Sequence, residues 1–593
     1  MVKLTINNRA VCVPEDTTIL EAAKTVNVQI PTLCHLQGVH SCGVCRICIV
    51  EIEGVRNLQV SCIGAVREGM HVHSNTPRVR KARKILYELM LSDHPKDCLN
   101  CSRGGQCELQ RLGEQLGVAE SRFDGEHRGG SLDSSPSIVR DPAKCILCRR
   151  CITACNVIQQ VGAICAQNRG FDTIVAPAMA LSINDTACTM CGQCVAVCPT
   201  GALREADATL PVWQALENPD LLVVAQVAPA VRAALGEEFG FPIGASATGK
   251  LAASLKELGF DKVFDTNFAA DLTILEEGAE FLQRLTAGVT GGGAVLPLIS
   301  SCSPGWIKHI EHAFPNELDH LSTCKSPHTM LGALVKSYYA EKLGIDPNGI
   351  FMVSVMPCTA KKYEIRRPEM GRDGIADVDA ALTTRELAGM IRQAGIDFLN
   401  LEECGFDEPL GFSTGAADIF GVTGGVTEAA LRTVYELVTG AELPFEGLHV
   451  APIVGPERIK TAEIIITDTL PDYAALKGVT LKIAVTSGLA GADILLQQIA
   501  SGSSPYHFIE VMGCPGGCIN GGGQPRSHTV EGYCEKRAKA LYQEDENKAM
   551  RKSHENPAIA CLYEEYLGEV GGDLAHKLLH THYTKRGLYN ELT

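Results

Sequence analysis

The stretch Glu510-Val-Met-Gly-Cys514-Pro-Gly-Gly-Cys518-Ile-Asn-Gly-Gly-Gly-Gln-Pro525 decides the reading of this chain. The apolar run over 506–512 predicts a buried strand. It ends in two cysteines separated by three residues, two of them glycine, and a triple glycine follows. Glycine lets main chain approach a bulky prosthetic group closely. Thiolates at a strand's end, wrapped in glycine, therefore suit a metal cluster. A disulfide, or two inert buried thiols, is the alternative.

Two further motifs share that design. The run 295–299 leads into Ser300-Ser-Cys302-Ser-Pro-Gly-Trp306, and the run 350–356 leads into Met356-Pro-Cys358-Thr-Ala-Lys361. Strands ending in cysteine turns fit an open α/β sheet, whose sites form at the carboxyl ends of its strands. In order and separation the three segments resemble the signature motifs of the [FeFe]-hydrogenases, and the resemblance extends over nearly the whole chain. It implies a multidomain fold: N-terminal ferredoxin-like iron–sulfur modules (α+β) followed by a two-lobed α/β hydrogenase domain with parallel sheets.

Bulk properties agree. A length of 593 residues suggests roughly four domains. The formal charge of −16 argues against nucleic acid or an anionic membrane as partner. No apolar run approaches the roughly 18 residues of a spanning helix. The start, Met-Val-Lys-Leu-Thr-Ile-Asn-Asn, has no apolar signal core and no twin arginine, so the chain reads as cytoplasmic. In a reducing compartment its 26 cysteines point to metal or redox chemistry rather than disulfides.

Residues 1–78 carry Cys34, Cys45, Cys48 and Cys62, a spacing that resembles a plant-type [2Fe–2S] ferredoxin with a longer first gap. Cys42 competes for the second ligand place; Cys45 is preferred because it forms the Cys-x2-Cys pair. A basic run, Arg78-Val-Arg-Lys-Ala-Arg-Lys84, leads into an apolar helix over 85–91. It is a solvated face or a docking patch for an acidic ferredoxin. Within 79–120, His94, Cys98, Cys101 and Cys107 could bind zinc by spacing alone. Their position between ferredoxin-like modules favours a [4Fe–4S] cluster, matching the His-and-three-Cys site of this family and of the large peripheral subunit of complex I. Residues 121–137, rich in Gly, Ser, Asp and Pro, read as a surface linker. Over 138–208, Cys145-x2-Cys148-x2-Cys151-x3-Cys155 is repeated as Cys188-x2-Cys191-x2-Cys194-x3-Cys198-Pro199. This is the two-cluster bacterial ferredoxin repeat, in which each fourth cysteine serves the other cluster. Cys198 thus joins Cys145, Cys148 and Cys151, and Cys155 joins Cys188, Cys191 and Cys194.

Residues 215–593 form the catalytic domain, with apolar runs at 221–227, 295–299, 351–355 and 481–485 alternating with helical stretches. The resemblance implies an H-cluster: a [4Fe–4S] cubane joined to a two-iron unit carrying CO, cyanide and a dithiolate amine bridge. It assigns Cys358, Cys514 and Cys518 to the cubane, with Cys518 bridging. It pairs Lys361 with one cyanide and Ala228-Pro229-Ala230 with the other. Met356 and Met512 become soft apolar walls, and Pro327 and Gly517 line the cofactor. The family's first motif has two adjacent cysteines, the first relaying protons and the second ligating. Here the pair is Cys302-Ser303. Either Ser303 ligates, Cys302 takes that place in addition to the proton role, or Cys324 contributes. The remaining unassigned cysteines, Cys12, Cys165, Cys404, Cys534 and Cys561, read as ordinary buried thiols, and the histidines of the 551–583 ending read as structural.

A helix start near Thr273 puts Glu277, Glu280 and Arg284 on one face. By pattern this is a solvated ion pair. By resemblance Cys302, Glu277, Ser322 and Glu280 form the proton path and Arg284 positions its outer carboxylate. The reading is therefore an oxidoreductase interconverting protons, electrons and H2, fed by one [2Fe–2S] and three accessory [4Fe–4S] clusters. Its architecture resembles the catalytic subunit of multimeric NAD(P)-linked, electron-bifurcating hydrogenases. No Gly-rich nucleotide fingerprint follows a strand, so a flavin- and NAD(P)-binding partner and a small [2Fe–2S] partner subunit are expected, with ferredoxin as a further partner. The alternatives are a stand-alone ferredoxin hydrogenase, a redox or H2 sensor, and a complex I-like electron-transfer subunit.

Overall fold

Two parallel sheets organise the catalytic part of the computed structural model, which describes residues 1–39, 41–127, 130–443 and 458–587. In the first, strands Lys262–Asp265, Leu222–Val227, Ile350–Met356 and Ala380–Thr383 lie side by side in that order, all parallel. Parallel neighbours need crossover connections, and helix Thr248–Glu257, between strands Leu222–Val227 and Lys262–Asp265, supplies one of them. In the second, the order is Leu298–Ile299, Phe508–Met512, Thr480–Ser487, Ile459–Ile465, and only the last pair is antiparallel. The three cysteine motifs thus follow strands of two sheets rather than one, as a two-lobed domain requires. Covered on both faces, the strands are nearly continuous apolar runs; every residue of Phe508–Met512 is buried.

The chain divides into two compact units: Met1–Val157 with Gly162–Ile183 and Val197–Arg204, and Ile158–Val161 with Asn184–Ala196 and Glu205–Thr593. In the first unit a five-stranded sheet runs Arg9–Val13, Val2–Ile6, His71–His73, Ile49–Ile52, Gln59–Val60. Asn7 and Asn8, both at positive φ, turn its opening hairpin, as a two-residue primed turn demands. Helix Ile19–Thr25 opens on a Thr18–Glu21 capping box. Among the described residues no helix is long and apolar enough to cross a membrane.

Three expectations are corrected. The basic run does not precede a separate helix: Pro77–Ser92 is one helix, capped by Thr76, and Arg83 turns inward to donate to Ile49 O at 2.7 Å. The 121–137 linker is not at the surface throughout: Asp133, Ser135 and Ser137 are buried. Arg122 grips Glu88, and buried Asp133 pairs with Arg140 at 3.1 Å while accepting from Ile183 N–H. The 295–299 run yields a strand only over Leu298–Ile299, because Pro297 has no N–H to give the ladder.

One buried carboxylate locks the second sheet to the helix beside it. Glu510, at the centre of strand Phe508–Met512, accepts from Gly424 N–H (2.6 Å), Thr427 N–H (2.8 Å) and Thr427 Oγ–H (2.8 Å) at the start of helix Gly425–Thr439. A helix N-terminus favours an anion there. Glu510→Ala would leave three buried donors without a partner. We expect a loss on the order of 3 kcal/mol, read as a lower unfolding transition of the catalytic domain by calorimetry, whereas an unchanged transition would deny Glu510 this role.

Candidate functional site

In the first unit the sulfurs of Cys34, Cys45, Cys48 and Cys62 converge. Hydrogen bonding to Cys45 and Cys62 holds the Cys34 thiol well below its usual range, and Cys62 also reaches Cys48. All four are buried, whereas Cys42 is exposed with Thr153 Oγ1 at 3.7 Å. Cys45 rather than Cys42 therefore stands in the converging set. His94 follows helix Pro77–Ser92, and Cys107 caps helix Glu108–Leu116. His94 Nδ1 is buried without a hydrogen-bond partner, and burial pushes the imidazole down, so it stays neutral and free to ligate. An orphaned buried imidazole nitrogen is what a metal ligand requires.

The two ferredoxin repeats share one local geometry. Leu147 and Arg149, flanking Cys148, have φ of 54° and 62°; Met190 and Gly192, flanking Cys191, have 57° and 71°. These left-handed residues turn successive N–H groups inward, as an anionic cluster needs. Cys145, Cys148, Cys151 and Cys198 line a single cavity, in agreement with the exchange of the fourth ligand between repeats. Cys188, Cys191 and Cys194 lie in the second unit and Cys155 in the first.

In the second unit the turns after strands Ile350–Met356 and Phe508–Met512 deliver Cys358, Cys514 and Cys518 together. Burial pushes the Cys358 thiol up to about 12, with Cys518 adding to the shift and Lys361 opposing it. Burial raises Cys514 further, aided by Cys358, Cys191 and Cys518. Buried thiols that disfavour their charged form suit a cluster whose cationic iron–sulfide core binds thiolate. Cys302 precedes helix Pro304–Ala313 and lies in the field of Cys518, Lys361 and Glu277. Its neighbour Ser303 turns the other way: its Oγ accepts from Gly513 N–H at 3.2 Å, next to Cys514. Cys324 lies on the carboxylate side, its sulfur within 4.8 Å of ligand atoms of Glu280 and His580.

Lys361 is buried, 2.8 Å from Glu364 Oε2 and 3.0 Å from Cys302 O. Burial opposes ionisation of Glu364, yet Lys361 and His328 hold it down to about 2. His328 bridges Glu364 (2.6 Å) and Ser354 (2.9 Å), and burial lowers it to about 4. Glu364 and His328 were missed in the sequence; only the Lys361-x2-Glu364 spacing hinted at the pair. Met512 packs with Cys302 and Cys518. Met356 is buried and packs in the first lobe's core beside Ala228, the residue that opens the Ala228-Pro229-Ala230 turn. Ala228 caps the short helix Pro229–Arg232, and Ala230 O accepts from Gln524. Pro327 opens helix Pro327–Leu334. Gly517 has φ 101°, and a Cβ there would come within 2.8 Å of Gly421 O.

Accessory and catalytic motifs touch directly. Thr359 Oγ–H donates to Met190 O (2.7 Å), Gln193 to Asn520 O (2.8 Å) and Lys308 to Cys188 O (2.6 Å). On the other flank lies a polar line. Glu277 hydrogen-bonds Ser322 and the main chain of Ser301, and burial pushes its carboxyl up to about 7. Ser322 Oγ–H points at Glu280 (3.3 Å), which pairs with Arg284 at 2.6 Å. Arg284 also donates to Asp319 O and Leu321 O, so it clamps the loop as well as the carboxylate.

Comparison with known proteins agrees with this geometry. Residues 222–522 match the C-terminal domain of the iron-only hydrogenase large subunit, and 531–586 match the iron hydrogenase small subunit. Residues 1–77 match a 2Fe-2S cluster binding domain, 83–122 the NADH-ubiquinone oxidoreductase-G iron-sulfur binding region, and 181–204 a 4Fe-4S binding domain. The chain is 52% identical over 593 residues to the NADP-reducing hydrogenase subunit HndD of Solidesulfovibrio fructosivorans, covering 99% of each. It is 38% identical to iron hydrogenase 1 of Clostridium pasteurianum, over 96% of this chain and 98% of that one. The solved [FeFe]-hydrogenase HydA1 from Chlamydomonas reinhardtii is 41% identical, with a TM-score of 0.58, over 64% of this chain and all of that one. With its H-cluster domain and its accessory [2Fe–2S] and [4Fe–4S] modules, the chain belongs to the iron-only hydrogenases.

Proposed function

We propose that this hydrogenase is the catalytic subunit of a cytoplasmic, multimeric enzyme that exchanges electrons between H2 and NAD(P) through a flavin-bearing partner and a small [2Fe–2S] subunit, with ferredoxin as a second partner. The observation that carries the reading is the end-to-end 52% identity to a subunit named as NADP-reducing. The lack of a nucleotide fingerprint in this sequence supports placing NAD(P) on another chain. The modules span 1–78, 79–120, 138–208 and 215–593, joined by 121–137.

When bound, the H-cluster supplies the redox chemistry of 2H⁺ + 2e⁻ ⇌ H2. Cys358, Cys514 and Cys518 hold its cubane, and Ser303, beside Cys514, is the residue best placed for the fourth position. Lys361, fixed by Glu364, presents a buried cation to an anionic ligand. The contacts of the Cys188–Cys194 loop with Thr359 and Asn520 support electron entry there. Cys302, Glu277, Ser322 and Glu280 move protons, each a group that both accepts and donates.

Purified alone, the chain should exchange electrons with viologen dyes or ferredoxin and leave NAD⁺ unreduced; robust NAD⁺ reduction by the isolated chain would refute the partner assignment. Glu280→Gln keeps shape but removes the exchangeable proton. We expect an unaltered infrared spectrum of the cluster's CO and cyanide and a loss of H2 turnover of at least ~10²-fold; parental turnover would place the proton route elsewhere. Glu277 titrates in the fold near 7 against an ordinary 4.5. The raised value means its neutral form stabilises the fold below about 4.5, and this contribution is lost as pH rises through about 7, on the order of 3 kcal/mol in all. Glu277→Gln, always neutral, should flatten that part of the stability–pH curve. An identical curve would show that Glu277 is already ionised in the fold.

A further inference from the structure

Four cations from separate segments line one cavity of about 220 Å³: Lys325, Lys336, Arg372 and Lys577, with Asp373 and Asp377 beside them. All six lie in the second unit. Lys325 precedes helix Pro327–Leu334, and Lys336 lies in the π-helical turn Val335–Tyr339 that continues it. Both side chains are buried, and each ammonium has one partner: Asp377 at 2.7 Å for Lys325, Asp379 at 2.6 Å for Lys336. An ammonium carries three N–H donors. Each therefore keeps two without a protein acceptor among the described residues, and a buried donor left so is costly.

Arg372 and Lys577 put the charge out of balance. The hairpin of Gly371–Arg372 and Ile375–Ala376 turns on Asp373 and Gly374, at φ of 53° and 82°, as a two-residue primed turn requires. It sets Arg372 at the cavity wall, where its one close carboxylate is Asp373 at 3.5 Å, a side chain 83% exposed. A pair so open to water adds little. Burial pushes the Asp377 carboxyl up, and Lys325, Lys336 and Arg372 pull against it. Three cations thus act on one buried carboxylate. Lys577, exposed on helix Asp573–Leu579, lines the same space without an acceptor among the described residues. Asp379 is taken up elsewhere as well, accepting from Met352 N–H at 2.7 Å.

We propose that this cavity is a binding site for a phosphate-class oxyanion, either free or as the phosphoryl group of a nucleotide. Water would satisfy the spare donors but not the excess charge. A tetrahedral oxyanion has acceptors on every side, which suits cations that arrive from separate segments. It takes the spare N–H groups of Lys325 and Lys336, and the planar fork of Arg372 matches two of its oxygens. Binding would join the Arg372 hairpin to Lys325, whose own N–H donates to Leu579 O at 2.8 Å on the helix of Lys577. The ligand would therefore stiffen the loop that carries Ser322, three residues before Lys325.

The test titrates inorganic phosphate into the full chain by calorimetry, with chloride at equal ionic strength as the control, and follows hydrogen exchange in the same two buffers. Phosphate should give a saturable heat that chloride does not, and should slow exchange over 322–325, 371–377 and 573–579. Arg372→Gln should weaken binding roughly tenfold, as for the loss of a charged hydrogen-bond donor. Lys577→Gln should weaken it about threefold, as for a charge at the rim. Both residues reach solvent, so a parental melting temperature in chloride shows that the fold is kept. Asp373→Asn keeps a residue that tolerates positive φ and removes a competing charge, so it should tighten binding; a merely structural role for the hairpin predicts no such gain. AMP is the second ligand. Competition with phosphate and the same dependence on Arg372 would assign the site to a nucleotide phosphoryl group, whereas binding of phosphate alone would assign it to the free anion. The absence of a saturable heat with either ligand would overturn the site, and so would binding that is unchanged in Arg372→Gln or reproduced by chloride.

Discussion

The catalytic centre depends on one packing constraint: the turn Gly521-Gly522-Gly523 is pressed onto the main chain of two other motifs. A Cβ at Gly521 would lie 2.2 Å from Pro357 O, at Gly522 2.3 Å from Cys191 O, and at Gly523 2.8 Å from Thr383 Cβ. Real side chains cannot occupy those spaces, so only glycine lets the third motif, the Cys358 turn and the accessory Cys191 turn meet. Polar bonds then hold the contact. Buried Arg385 donates to Gly522 O and Gln524 O and pairs with Glu205 at 2.8 Å. Gln524 spans Thr384 and Ala230 O, which ties the segment after strand Leu222–Val227 into the same knot.

Given that closeness, the centre must hold charge in a medium that resists it. The thiols are raised by burial, so thiolate exists there at a cost that a bound cluster offsets. Buried Lys361 pairs with Glu364, and Lys361 first and His328 second hold that carboxyl down against its burial. Breaking such a chain by removing one member costs more than the chain contributes, because it leaves an uncompensated buried charge. Glu277 is the opposite case: no cation neutralises it, its carboxyl sits near neutrality, and it can take or give a proton at little cost.

What the sequence revealed follows from how local each signal is. Cys-x2-Cys repeats and cysteine turns after apolar runs are short-range patterns, so the order of modules and the parallel α/β character were legible, whereas the two lobes followed from the family resemblance. The choice of Cys45 over Cys42 rested on the same local rule, and the buried, converging thiols agree with it. What stayed hidden depends on partners far along the chain. His328, Glu364 and Glu510 look like surface residues until the fold brings them to Ser354, Lys361 and Thr427. Arg83 and Asp133 were hidden for the same reason: each is a polar residue whose burial is decided by a distant partner.

The distribution of fields among the thiols separates two traffics. Cys514 feels Cys358, Cys191 and Cys518, whereas Cys302 feels Cys518, Lys361, Glu277 and Glu510. Other cysteines, which can carry clusters, surround Cys514, with Gln193 hydrogen-bonded to it. Groups that can carry protons surround Cys302. Cys518 is the thiol common to both sets, and it is the residue the family motif makes the bridge between cubane and two-iron unit. Ser303 and Cys302 are adjacent yet belong to opposite sets, Ser303 through Gly513 and Cys302 through Glu277. A helix N-cap explains how neighbours can diverge so far: Ser303 is in extended conformation at the start of helix Pro304–Ala313, and successive side chains of extended backbone point to opposite sides. The first motif therefore sends consecutive side chains to opposite sets. The hydroxyl at 303 thus lies on the Gly513 side, and the thiol at 302 is the one that faces the carboxylates.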